Sequence, residues 1–121
     1  MESARRTDDT LVNLLMLHGE IFPMDNGYWT KFEAYLVEPS VHIPQGVRYS
    51  LTLHDKHNTR VLGFDNAHGF KPKKKKYGAH KFTWDHQHRL QIIKPYEYES
   101  AAQLLDDFWR EAEMIMAYLR R

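Results

Sequence analysis

The stretch that decides the fold is residues 47–64, which read Val-Arg-Tyr-Ser-Leu-Thr-Leu-His-Asp-Lys-His-Asn-Thr-Arg-Val-Leu-Gly-Phe. Apolar and polar residues alternate from Val47 to His54, and this period of two is typical of an antiparallel strand with one buried face. The polar residues 55–58 predict a turn, and residues 59–64 predict the partner strand. This second strand leads directly into Asp65 and Asn66, at the strand end where functional side chains are often held.

Other segments of the chain add strands to this hairpin. Asn26-Gly27 is a turn signal, and residues 28–37 alternate in the same way as residues 47–54. Residues 11–22 fit either a strand or a short helix, because their periodicity does not decide between the two. Residues 79–84 predict one more short strand.

Residues 100–119 carry the clearest helical pattern of the chain. One apolar stripe runs along them, formed by Leu104, Leu105, Phe108, Trp109, Ala112, Ile115, Met116 and Leu119. Ser100 and Gln103 have the spacing of a capping box at the helix start. Strands followed by one strong helix predict an α+β fold: an antiparallel β-sheet of about four to five strands with the C-terminal amphipathic helix packed on one face.

Length and composition predict one domain over residues 1–121, since a chain of 121 residues with 42% hydrophobic residues can build one core. Residues 1–9 are polar and are expected to be frayed. The most apolar stretch, residues 11–17, is far shorter than the roughly 20 residues of a membrane span, and the N-terminus lacks a secretory pattern. We therefore expect a cytoplasmic protein without membrane contact. The chain has no cysteine, which excludes disulfides and thiolate zinc sites.

Charge is strongly segregated along the chain although the formal net charge is only +1. Residues 42–94, which we name the basic segment, contain 11 Lys and Arg against 3 Asp and Glu, a balance of +8. Within this segment, residues 69–78 are predicted to form a basic loop. A basic middle between acidic flanks indicates a polyanion bound at one face.

Two short polar segments flank the lysine-rich run. They are Asp65 to His68 and Asp85 to Arg89, and both are predicted as loops that follow strands. Histidine exchanges protons near neutral pH, aspartate can orient an imidazole, and arginine and lysine hold phosphate groups. These residue types together indicate phosphate chemistry on RNA. Each also has an ordinary interpretation, because Asp and Asn favour turns, lysine runs are usually solvated, and short histidine motifs are often surface features.

The residues allow a ribonuclease mechanism that uses neither a metal nor a cofactor. His68 or His88 removes the proton from a ribose 2′-hydroxyl, and the other histidine protonates the leaving oxygen. Cationic side chains stabilise the charge on the phosphoryl oxygens. The candidate catalytic residues are Asp65, Asn66, His68, Asp85, His86 and His88, and the candidate phosphate-binding residues are Arg89, Lys73, Lys74, Lys75, Lys76 and Lys81.

Over roughly residues 14–118 the chain contains the motifs Tyr49-x-Leu51, Phe64-Asp65-Asn66, Asp85-His86-x-His88, Pro95-Tyr96-x-Tyr98 and Leu104-Leu105-x-Asp107-Phe108. Together, these motifs resemble the TumE-like toxins of type II toxin–antitoxin modules. The resemblance implies a small growth-inhibiting toxin that acts on RNA and is neutralised by a helix-turn-helix antitoxin from the same operon. It also implies site roles for Asp65, Asn66, Asp85, His86 and His88. The chain departs from the pattern at Gln87, where many members have Arg, and in its long connection from Gly69 to Lys81.

Two other functions fit the same residues. One is a metal-dependent hydrolase in which Asp65, His68, Asp85, His86 and His88 are ligands, because His and carboxylate together suit zinc, iron or manganese. The other is a non-catalytic module that holds nucleic acid or a partner through the basic segment. The oligomeric state, either a homo-oligomer or a hetero-oligomer with the antitoxin, stays open.

Overall fold

The computed structural model describes residues 8–66, 86–89 and 92–119, and the side chains of His86 and residues 92–95 lie outside this description. In chain order the elements are α1 (Leu11–Met16), β1 (Ile21–Pro23), a 3₁₀ turn (Asp25–Gly27), β2 (Trp29–Leu36), β3 (Val47–His54), β4 (Arg60–Asp65), β5 (His86–Arg89), β6 (Ile92–Pro95) and α2 (Ala101–Leu119). The six strands form one sheet in sequence order, each antiparallel to the next. Neither α1 nor α2, the helices in the described part of the chain, has the length and apolar character that a bilayer crossing requires.

The predicted α+β architecture is confirmed, since the C-terminal helix α2 packs on an antiparallel sheet. Among the described residues the sheet has six strands, against the four to five that the sequence predicts. Residues 11–22, whose periodicity fits strand or helix, divide into α1 and β1. The predicted strand at residues 79–84 and the predicted basic loop at residues 69–78 lie outside the described residues.

The loop predicted at residues 85–89 is wrong over residues 86–89. The sequence predicts a loop at residues 85–89, whereas residues 86–89 form β5 and pair with β4 from Leu62↔Arg89 to Asp65↔His86. The other edge of β5 pairs with β6, a strand that the sequence analysis does not predict. Hydrogen bonding on both edges of β5 outweighs its polar composition, which is a poor local signal for a strand.

Alternation along the strands decides which side chains enter the core. Phe32 of β2, Leu51 of β3 and Phe64 of β4 are fully buried on the face that α2 covers. Phe108 of α2 lies between them, with its ring centroid 5.4 Å from that of Phe32 and 5.8 Å from that of Phe64, both edge to face. Each such side chain contributes about 1.5–3 kcal/mol by burial, so this layer holds α2 on the sheet.

The opposite side of the sheet carries the alternate residues, and we name it the distal face. Its described members include Trp29 and Lys31 of β2, Ser50, Thr52 and His54 of β3, Gly63 and Asp65 of β4, and His88 of β5. The β3 members are partly exposed, whereas Gly63, Asp65 and His88 are buried. Polar side chains therefore converge at the β4 and β5 end of this face.

The N-terminus of α2 is capped by side chains of the N-terminal segment and by Ser100, which directly precedes the helix. The Oδ2 of Asp8 accepts a hydrogen bond from the amide of Ala101 at 2.7 Å, and the Oγ1 of Thr10 accepts one from the amide of Ala102 at 3.0 Å. Ser100 accepts from the amide of Gln103, as the capping box predicts, although the Gln103 side chain binds the amide of Glu99. Asp8 lies in the segment predicted to be frayed, residues 1–9, yet it has a defined partner in α2.

Replacement of Asp8 by alanine is expected to lower the free energy of unfolding by about 1 kcal/mol at pH 7, because it removes a helix cap. Burial acts to raise the pKa of Asp8, but the hydrogen bonds from Thr10 and Ala101 outweigh it and lower the pKa below 3.8. A lowered native pKa stabilises the fold above the unfolded-state pKa, and this contribution is lost as pH falls through the native value. Urea unfolding should therefore show the wild type and Asp8→Ala converging below pH 4. A difference that is constant with pH would contradict this role.

Candidate functional site

Asp65 and His88 form a buried pair on the distal face. Gly63 pairs with His88 in the register of β4 and β5, and Asp65 follows Gly63 by two residues, so that the side chains of Asp65 and His88 point to the same side of the sheet. The Oδ2 atom of Asp65 lies 3.2 Å from the Nε2 atom of His88. The two side chains are 9% and 11% exposed. The two segments selected from the sequence thus meet through this contact.

The chemistry of this pair is that of an oriented imidazole. A carboxylate at the Nε2 atom fixes the ring and its tautomer and stabilises the imidazolium that forms when the ring accepts a proton. Because the pair is nearly enclosed, water screens this interaction only weakly. An imidazole oriented in this way is suited to proton transfer.

The side chain of Asn66 is hydrogen-bonded to the backbone of β3. Its Oδ1 atom accepts a hydrogen bond from the amide of Tyr49 at 3.0 Å, and its Nδ2 atom donates to the carbonyl of Val47 at 2.9 Å. Beyond the end of β4, the side-chain amide of Asn66 therefore makes the hydrogen bonds to β3 that backbone groups make within the sheet. It is 1% exposed, and both of its polar atoms are used on backbone. Asn66 thus ties the end of β4, next to Asp65, to β3.

Gln87 and Arg89 alternate with His88 and lie on the side of α2. Gln87 is 4% exposed, and its Nε2 atom has no hydrogen-bond partner among the described residues. The Nη1 atom of Arg89 lies 3.5 Å from the Oε1 atom of Glu111 in α2. The structure therefore does not bring Arg89, a predicted phosphate ligand, beside His88.

Several predicted site residues lie outside the described part of the chain. These are His68, Asp85, Lys73, Lys74, Lys75, Lys76 and Lys81, and only the backbone of His86 is described, opposite Asp65. Within residues 8–66, 86–89 and 92–119, no group of three or more His, Cys, Asp or Glu side chains could hold a metal ion.

A second polar cluster, formed by Tyr96, Asp107 and Arg110, lies on the α2 side of the sheet. The sequence assigns it no role. The hydroxyl of Tyr96 donates a 2.6 Å hydrogen bond to Asp107 of α2, whose other oxygen accepts from Arg110 at 2.8 Å. Burial, followed by this hydrogen bond to Asp107, raises the pKa of Tyr96. The Tyr96 ring meets the ring of Phe64 edge to face at 4.7 Å. Tyr96 thus anchors the chain after β6 against α2 and against the residue that precedes Asp65.

Replacement of Asn66 by alanine should destabilise the fold by about 2–5 kcal/mol, because it leaves the amide of Tyr49 and the carbonyl of Val47 without their partners. Denaturant unfolding measures this change. Asn13→Ala, at an exposed position of α1, is the matched control and should stay within about 0.5 kcal/mol of the wild type. An Asn66→Ala protein as stable as this control would contradict the structural role.

Comparison with known proteins places these residues in a family. A family model described as Toxin TumE matches residues 5–116, which is nearly the whole chain. Comparison with curated proteins and with solved structures gives no match. The matched region contains the Asp65/His88 pair, Asn66, and the Tyr96 and Asp107 contact. The chain belongs to the TumE toxin family.

Proposed function

We propose that this toxin is a metal-independent endoribonuclease that inhibits growth by cleaving RNA at the Asp65/His88 pair. The family assignment supports a toxin of a toxin–antitoxin module and implies a partner antitoxin. The observation that carries the ribonuclease proposal is the 3.2 Å contact between the Asp65 carboxylate and the His88 imidazole at the buried end of the distal face. An imidazole held in this way is suited to proton transfer near neutral pH.

In the proposed reaction, His88 acts as the general base or the general acid of phosphodiester cleavage. A base takes the proton of a ribose 2′-hydroxyl, and the 2′-oxygen then attacks the adjacent phosphorus. The bond from phosphorus to the 5′-oxygen breaks, and an acid protonates that oxygen. The products are a 2′,3′-cyclic phosphate and a 5′-hydroxyl end. His68 and His86 stay the candidates for the second proton-transfer group, and Asp85 stays a candidate for orienting it.

The charge of the basic segment supports RNA as the substrate. Its balance of +8 attracts a polyanion without any sequence preference, because phosphate neutralisation releases condensed counterions. The lysines of residues 73–76 and Lys81 are proposed to increase the local RNA concentration rather than to catalyse. The proposed setting is the cytoplasm, where the cognate helix-turn-helix antitoxin binds the toxin.

Inducible expression with and without the adjacent gene tests the proposal. Expression of the wild type alone should arrest growth and create new RNA ends within the transcriptome, and co-expression of the antitoxin should prevent both effects. His88→Gln should abolish the new ends, because it removes the proton-transfer group. His57→Gln, at an exposed turn between β3 and β4, is the control and should behave as the wild type. Growth arrest with unchanged RNA ends would contradict the proposed reaction.

A chelator separates this mechanism from that of a metal-dependent hydrolase. Purified protein should cleave single-stranded RNA at the same rate before and after dialysis against EDTA, because histidines supply the proton transfers. Loss of cleavage that zinc or manganese restores would instead support the hydrolase with Asp and His ligands.

A further inference from the structure

A bulge in the pairing of β3 with β4 determines the face on which Arg60 lies. Leu53 pairs with Leu62, but His54 pairs with Arg60, so that Val61 is an extra residue in β4. A bulge sets two residues of one strand against one residue of its neighbour and redirects the side chains. Arg60 therefore shares the distal face with His54 instead of entering the core.

The side chain of Arg60 extends along β4 over Gly63. A Cβ atom built on Gly63 would lie 3.4 Å from the Cδ atom of Arg60 and 3.7 Å from its Nη1 atom. Gly63 is the register partner of His88, and partners on one face have Cβ positions about 4.5–5.5 Å apart. The guanidinium of Arg60 thus lies over the space that the glycine leaves beside His88.

Arg60 keeps its hydrogen-bonding capacity for a ligand. Within residues 8–66, 86–89 and 92–119, the side chain of Arg60 forms no hydrogen bond or ion pair, whereas those of Arg89 and Arg110 each contact a carboxylate of α2. Arg60 is also exposed. Arg60 is also the register partner of His54. Burial lowers the pKa of His54, and the positive charge of Arg60 lowers it further.

We infer that Arg60 binds a phosphate of single-stranded RNA on the distal face, beside the Asp65/His88 pair. The inference rests on the proposed function and assigns to Arg60 the phosphate contact that the sequence analysis assigned to Arg89. A guanidinium presents parallel N–H donors that fit two phosphate oxygens, and in this position it can neutralise the charge that grows on the phosphoryl group.

The neighbourhood of Arg60 also fits a nucleotide. The rings of Trp29 and His54 are stacked at 4.0 Å with an angle of 8° between their planes, in the row of residues that ends at Arg60. An aromatic surface next to a cation is the usual arrangement for a base and its phosphate in single-stranded nucleic acid binding. In this proposal, single-stranded RNA lies across β2, β3, β4 and β5, from Trp29 past Arg60 to His88.

Binding of a short single-stranded oligonucleotide with 2′-O-methyl riboses tests this inference without any cleavage. Arg60→Gln should weaken binding roughly 10-fold or more, because a charge-assisted contact is lost. It should also reduce the slope of log affinity against log salt by about 0.7, the value for one phosphate on a single strand. Lys56→Gln removes one charge from the same hairpin at an exposed position and should bind within about twofold of the wild type. Thermal unfolding of each variant confirms that the fold is retained.

The outcomes separate this inference from the ribonuclease proposal. Equal binding by Arg60→Gln and the wild type, an equal loss in Lys56→Gln, or no binding by the wild type overturns the inference. If unmodified RNA is cleaved equally by the wild type and by Arg60→Gln, the inference fails and the ribonuclease stands. If Arg60→Gln loses binding while the wild type leaves unmodified RNA intact, the phosphate contact stands and the ribonuclease proposal fails.

Discussion

The register between β4 and β5 is the constraint on which the site depends. Side chains alternate across a strand, so the pairing of Gly63 with His88 places His88 beside Asp65 on the distal face and sends Gln87 and Arg89 toward α2. A shift of one residue would turn His88 into the core. On the β4 side, Phe64 packs against Phe108 and the side chain of Asn66 binds the backbone of β3, so these contacts fix which residues of β4 face α2 and which face the distal side.

The sequence predicts the elements whose own residues carry a clear period. The strand at residues 47–54 and the helix at residues 100–119 are of this kind, and the structure contains both as β3 and α2. Strand β5 is different, because four polar residues have no strand signal of their own and depend on pairing with β4 and β6. The contact of Asp65 with His88 is likewise a consequence of register, which local patterns do not specify. The position of Arg60 depends on a bulge, and a simple alternation of polar and apolar residues does not predict where a bulge occurs.

The alternation of side chains along β5 also determines where residue 87, at which the chain departs from the family pattern, points. The chain has Gln87 where many members that it resembles have Arg, a residue type that can hold a phosphate. In the structure, the Gln87 side chain is buried on the side of α2, opposite to the face that carries His88. An arginine at this backbone position would therefore point away from a phosphate beside His88. Asp65 and Asn66, adjacent in the motif, likewise have different contacts, since Asp65 lies beside His88 and the Asn66 side chain binds the backbone of β3.

The claim that Asp65 and His88 act as one unit is tested most directly by a double-mutant cycle on RNA cleavage. The rate is measured for the wild type, Asp65→Asn, His88→Gln and the double variant, with folding checked for each. General acid–base catalysis contributes roughly 100- to 10,000-fold, so a loss in this range is expected for His88→Gln. The account predicts that the double variant is no slower than the slower single variant, because removing either partner disables the unit. Losses that multiply in the double variant would show that the two residues act independently and would contradict the account.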